Sequence, residues 1–103
     1  MELQDKIKKE ISDNSVMLYM KGTKEMPMCG FSATVVKILN NHNISYKAVN
    51  VLEDPNIRVE LSNLSNWPTI PQLFVNGELV GGCDIALDLH NSGELKNILD
   101  KAI

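Results

Sequence analysis

The chain has 103 residues, enough for one domain and too few for two. At 44% hydrophobic and 22% charged it can bury an ordinary core. Its two cysteines, Cys29 and Cys83, form no Cys-x-x-Cys pair, which disfavours a secreted disulfide scaffold. A net charge of −3 argues against nucleic acid or an anionic membrane as partner, and no apolar run approaches the roughly 20 residues of a membrane-spanning helix.

The charged, mixed opening Met1–Asp5 reads as neither a secretory signal nor a transit peptide. Leu3, Ile7 and Ile11 recur at every fourth place and predict a helix over residues 3–13, which Asp13-Asn14-Ser15 breaks. Val16-Met17-Leu18-Tyr19-Met20 is short and almost wholly apolar, the pattern of a strand buried on both faces. A polar loop follows from Lys21 to Met28, with Gly22 and Pro27. Helical spacing then resumes over 30–42 through Phe31, Val35, Ile38 and Leu39. Tyr46 to Val51 reads as a second strand. Asp54-Pro55 then starts a helix over 55–65, with Asp at the cap and Pro in the first turn.

Pro68 and Pro71 interrupt regular structure. Gln72–Val75, Asn76-Gly77 and Glu78–Val80 together predict a hairpin on a type I′ turn. After Gly81-Gly82, two closing helices are expected over 84–91 and 93–102. The order is α-β-α-β-α-β-β-α-α. A helix between the first two strands implies a parallel, right-handed crossover, and the closing hairpin is antiparallel. The expected architecture is an α/β fold, a four-stranded mixed sheet with helices on both faces.

Cys29 falls just before a helix, where free N–H groups and the positive end of the dipole favour a thiolate. The alternative is a buried, inert cysteine, common for this residue type; the neighbouring Gly30 favours access to the sulfur. His42 and His90 fall on helical segments without a further ligand at metal spacing and read as structural or surface residues.

Cys29-Gly30-Phe31-Ser32 resembles the signature of monothiol glutaredoxins of the Cys-Gly-Phe-Ser (CGFS) class. So do Tyr19-Met20-Lys21-Gly22, Trp67-Pro68-Thr69-Ile70-Pro71-Gln72 and Gly81-Gly82-Cys83-Asp84, in the same order. The resemblance covers essentially the whole chain and implies one glutaredoxin domain, residues 1–103, with a thioredoxin-like fold. It implies a glutathione site in which Lys21 and Arg58 hold the glycyl end. In the same site the backbone of Ile70, beside a cis Pro71, pairs with the peptide, and Cys83 with Asp84 holds the γ-glutamyl end; Cys29 and Phe31 complete the set. Trp67 and Thr69 flank the same groove, although Trp67 reads equally well as core. Ser32 stands where dithiol relatives carry a second cysteine, and a hydroxyl cannot resolve a mixed disulfide. Cys83 precedes a helix, which favours a lowered pKa. In the resemblance it lies near the glutathione site and in some members pairs with the active-site cysteine; a small buried hydrophobe is the other reading.

One thiolate per chain cannot hold a [2Fe–2S] cluster, which takes four ligands. The resemblance therefore implies a homodimer, with Cys29 of each chain as metal ligand and two glutathiones supplying the rest. Such a dimer would pass its cluster to apo iron–sulfur proteins, and a BolA-type protein is a possible partner. The alternative is a glutathione-dependent oxidoreductase that reduces protein–glutathione mixed disulfides by a monothiol route, with weak activity. The expected location is cytoplasmic, a bacterial cytosol or an organelle matrix if a transit peptide has been removed.

Overall fold

The computed structural model describes residues 2–102; Met1 and Ile103, the ends of the expected domain, lie outside the described residues. Nine regular elements follow in chain order: helix α1 (Glu2–Asp13), strand β1 (Val16–Met20), α2 (Gly30–Asn41), β2 (Lys47–Asn50), α3 (Pro55–Ser65), the hairpin β3 (Gln72–Val75) and β4 (Glu78–Gly81), then α4 (Cys83–Ser92) and α5 (Glu94–Asp100). The sheet order is β2-β1-β3-β4. β1 runs parallel to β2 and antiparallel to β3, and β3 pairs antiparallel with β4. This is the four-stranded mixed sheet that the pattern predicts, in the thioredoxin-like form that the resemblance implies.

The apolar run of β1 explains the layering. Val16, Leu18 and Met20 point into a core closed by Val35, Val36, Ile38 and Leu39 of α2, Ala86 of α4, and Leu95 and Leu99 of α5. Met17 and Tyr19 point the other way, against Ile7 of α1, Leu61 of α3, and Phe74. Successive strand residues face opposite sides, so a strand covered on both faces must be apolar throughout; all five residues of β1 are buried. The stripes Leu3–Ile7–Ile11 and Ile57–Leu61–Leu64 both pack on that second face. The Tyr19 hydroxyl, buried there, donates to Glu10 Oε1 at 2.9 Å and ties α1 to the sheet.

Local chemistry sets the boundaries. Asn76 and Gly77 both have positive φ (52° and 84°), as the type I′ turn requires. Asp54 caps α3 by accepting from Asn56 N–H, with Pro55 at the first helical position. The expected second strand is shorter than Tyr46–Val51. The Asn50 side chain accepts the Leu52 N–H and turns the chain into a 3₁₀ turn over Val51–Glu53, and Val51 enters the core from that turn. Gly81 has φ of 146°, and a Cβ there would stand 2.8 Å from the Ile85 side chain, so β4 passes to α4 through a position only glycine fits.

Candidate functional site

Cys29 is the N-cap of α2, extended at φ −150° and ψ 137°, with its carbonyl accepting from Ala33 N–H at 2.9 Å. The loop before it is a miniature antiparallel turn. Met28 N–H donates to Lys21 O at 2.9 Å, Gly22 bridges Pro27, and Thr23 and Met26 exchange backbone bonds of 3.1 and 3.2 Å. Gly22 is indispensable to that turn, since at φ of 93° a Cβ would lie 2.4 Å from Met26 O. Asn50, at the end of β2, anchors the loop by accepting from Gly22 N–H at 2.9 Å.

The Cys29 thiol is held below its ordinary pKa. The largest cause is the Ser32 backbone N–H; partial burial opposes it, and the Phe31 N–H, the Lys21 ammonium and the Ser32 hydroxyl add to the lowering. This is the helix-start effect expected from the sequence. Ser32 is itself fully buried and accepts the Lys21 N–H at 3.1 Å. The residue that replaces a second cysteine thus braces β1 against the start of α2.

Cys83 departs from one of the two readings given for it, the lowered pKa. It is the first residue of α4, after Gly82 as N-cap, yet its thiol is pushed above the ordinary value. Burial is the main cause and the Asp84 carboxylate the second; a Thr34 hydrogen bond opposes them only in part. A helix start lowers a thiol pKa only where desolvation and a neighbouring acid do not outweigh it. Both cysteines are free thiols.

Beside Cys29 lies an open cleft of about 350 Å³, lined on one side by Trp67, Thr69, Ile70 and Pro71, on the other by Gly82, Cys83, Asp84 and Ile85, with Phe31 at its edge. The Ile70–Pro71 peptide is cis. Of the residues singled out in the sequence, Phe31, Ile70, Pro71, Cys83 and Asp84 line this cleft, whereas Lys21 and Cys29 do not; Cys29 lies near it, two residues before Phe31 and close enough to Cys83 to act on its thiol, and Lys21 acts on Cys29. Arg58 does not line it; it is exposed on α3. Phe31, which the helical spacing assigns to the apolar stripe of α2, is instead 61% exposed, and Met26 and Met28 beside it are 68% and 63% exposed. Lys24 is engaged elsewhere: its ammonium donates to Tyr46 O and sits 4.0 Å from the centre of the Tyr46 ring. Trp67 and Thr69 both belong to the wall.

A half-buried thiol of lowered pKa at a helix start, beside a cleft walled by a cis-proline loop, is an arrangement with known counterparts. The family model for glutaredoxin matches residues 16–80. The chain belongs to the glutaredoxin family. This glutaredoxin is 55% identical over 93 residues to a probable monothiol glutaredoxin 2 of Rickettsia felis, covering 90% of this chain and 89% of that protein. It is 50% identical over 99 residues to glutaredoxin 4 of Haemophilus influenzae, covering 96% and 92%. Its fold superposes on the solution structure of reduced poplar apo GrxS14 with a TM-score of 0.86 at 44% identity, covering 99% of this chain and 97% of that one. Relatives named monothiol fit a chain whose Ser32 stands three places after Cys29.

What sequence reasoning missed in this glutaredoxin are the wall residues Gly82 and Ile85 and the buried Gln72 behind the wall. Gly82 had a legible signal in the Gly81-Gly82 pair. Gln72 closes the Trp67–Gln72 motif, but its burial had no signal, because a glutamine opening a hairpin strand reads as a surface residue. The pairing of His42 with His90 was also missed. Nε2 of one and Nδ1 of the other lie 3.1 Å apart, joining the C-terminal ends of α2 and α4.

Proposed function

We propose that this protein is a CGFS-class monothiol glutaredoxin that binds glutathione in the cleft beside Cys29. As a glutathione-ligated homodimer it carries a [2Fe–2S] cluster and transfers it to apo-proteins. The observation that carries the reading is a single thiol of lowered pKa close to a peptide-sized cleft that Phe31 and Cys83 line. Among the described residues no three His, Cys, Asp or Glu side chains converge as metal donors. A cluster on Cys29 therefore draws its other ligands from outside the chain, from a second Cys29 and two glutathione thiolates. Ligands held only by non-covalent contacts make the cluster releasable, which suits cargo.

Glutathione carries two carboxylates and an ammonium near neutrality. Lys21 beside Cys29 supplies positive charge for its glycyl end, with Arg58 of α3 as the second cation. The free N–H groups at the start of α4 suit the γ-glutamyl carboxylate, and Asp84 suits its ammonium. Ile70, before Pro71, presents its backbone to the central peptide, and Phe31 covers the edge. Cytoplasmic apo iron–sulfur proteins are the recipients and a BolA-type protein the alternative partner in a mixed complex. Among the described residues no helix is long and apolar enough to cross a membrane.

The same half-buried thiol, its pKa lowered, favours a second reading. Cys29 sulfur attacks the glutathione sulfur of a protein–glutathione disulfide, the protein thiolate leaves, and a second glutathione thiolate then displaces Cys29 as oxidised glutathione forms. Anaerobic reconstitution with iron, sulfide and glutathione separates the two. The carrier gives a coloured, glutathione-dependent dimer that is lost in Cys29→Ser. A colourless monomer that turns over a glutathionylated peptide briskly overturns the carrier in favour of the reductase.

A further inference from the structure

The cleft wall from Trp67 to Pro71 is unusual in what holds it. Among the described residues no backbone–backbone hydrogen bond reaches this segment. Two of its carbonyls are held instead by one side chain: Gln72 Nε2 donates to Trp67 O at 3.0 Å and to Thr69 O at 3.1 Å. Both hydrogens of the carboxamide are thereby used. Gln72 is 0% exposed and opens β3, an interior strand, where it pairs in register with Tyr19. The clamp therefore grows from a strand hydrogen-bonded on both sides.

We infer that Gln72 is a positioning residue for the glutathione cleft: it draws the Trp67 and Thr69 carbonyls inward, so that the Thr69–Ile70 wall faces the ligand already shaped. The inference rests on the cleft reading above. Its chemistry follows from where the two carbonyls point. Bonded to Gln72, they are withdrawn from the cleft and cannot repel a ligand's carboxylate or carbonyl oxygens, and the backbone of Ile70 between them and Pro71 is left for the peptide. The clamp also holds Trp67, whose indole Nε1 is buried without a hydrogen-bond partner beside Gly82 on the opposite wall. A wall set before the ligand arrives spares the ordering entropy that binding would otherwise require. Gln72 is not among the groups that shift the Cys29 pKa, so it acts on affinity and not on the thiol.

The test compares wild type with Gln72→Met, which keeps the length of the side chain and removes both donors. Calorimetric titration with glutathione should show affinity weakened by about tenfold, while ultraviolet titration of the Cys29 thiolate gives the wild-type pKa. A general loosening of the fold would move both. Equal affinity in the wild type and a folded Gln72→Met overturns the inference alone; a wild type that binds no glutathione overturns the cleft reading and the inference with it. Should Gln72→Met fail to fold, the isotope-labelled wild type decides. The Gln72 carboxamide protons should exchange slowly and shift on saturation with glutathione, and rapid exchange or unmoved signals overturn the inference.

Discussion

Two thiols occupy helix starts in this chain and are driven in opposite directions. At Cys29 the Ser32 and Phe31 N–H groups and the Lys21 charge outweigh the opposing effect of burial; Cys83 is desolvated and faces Asp84. Iodoacetamide should therefore alkylate Cys29 well ahead of Cys83 at neutral pH, and peptide mapping of a partly labelled sample checks it; equal labelling would overturn the assignment. Ser32→Ala removes a buried hydroxyl that faces the sulfur and accepts from Lys21. Its expected effect is a raised Cys29 pKa and a slower alkylation rate below that pKa, with Cys83 unaffected. The position of Cys29 was legible because a cysteine between a turn and a helical stripe has one geometry. The state of Cys83 was not, because burial and the proximity of Asp84 depend on how α4 folds back over the sheet.

At the scale of elements, α2 and α4 carry the two sides of the site at their first turns and meet again at their last. His42 at the end of α2 and His90 in the last turn of α4 hydrogen-bond, their rings edge-to-face with centroids 5.1 Å apart. Burial and the adjacent His90 hold the His42 pKa below its ordinary value, Lys96 of α5 adds to this, and Asp100 of α5 opposes it. A depressed pKa means that the unfolded chain takes up the proton first as pH falls. The contribution to stability is complete above the ordinary histidine value of about 6.5 and is lost as pH drops through the folded pKa. Urea unfolding should thus show stability falling from neutrality into that acidic window, and His42→Gln, which cannot charge, should flatten the slope. An unchanged slope would remove the pair from the acid response. Each helix was legible from its own stripe, but nothing in either stripe says that two residues so distant in the chain will touch; that follows from the packing of α2 against α4 on one face of the sheet.

For the molecule as a whole, a ligand that binds only the folded state adds stability by mass action. Glutathione at a hundred times its dissociation constant should contribute about 2.7 kcal/mol and raise the unfolding temperature. Lys21→Ala and Arg58→Ala should each weaken binding by roughly 1–3 kcal/mol if they pair with its carboxylates, and so reduce that rise. An unaltered rise in either variant removes that residue from the site. Arg58 is the sharper case: neither cation lines the cleft, but Lys21 acts on Cys29 while Arg58 stands exposed on α3.

The amino-acid order alone determined the α/β topology, the Asn76-Gly77 turn, the double burial of β1 and the place of Cys29. These depend on periods and caps that act within a few neighbouring residues. Only the tertiary structure decided that Phe31 leaves its helical stripe for the cleft edge, that Lys24 is held by Tyr46, that Cys83 is raised, and that a buried Gln72 holds the wall. Desolvation and side-chain partnership belong to groups brought together from distant parts of the chain, and they exist only once the sheet and its covering helices have closed.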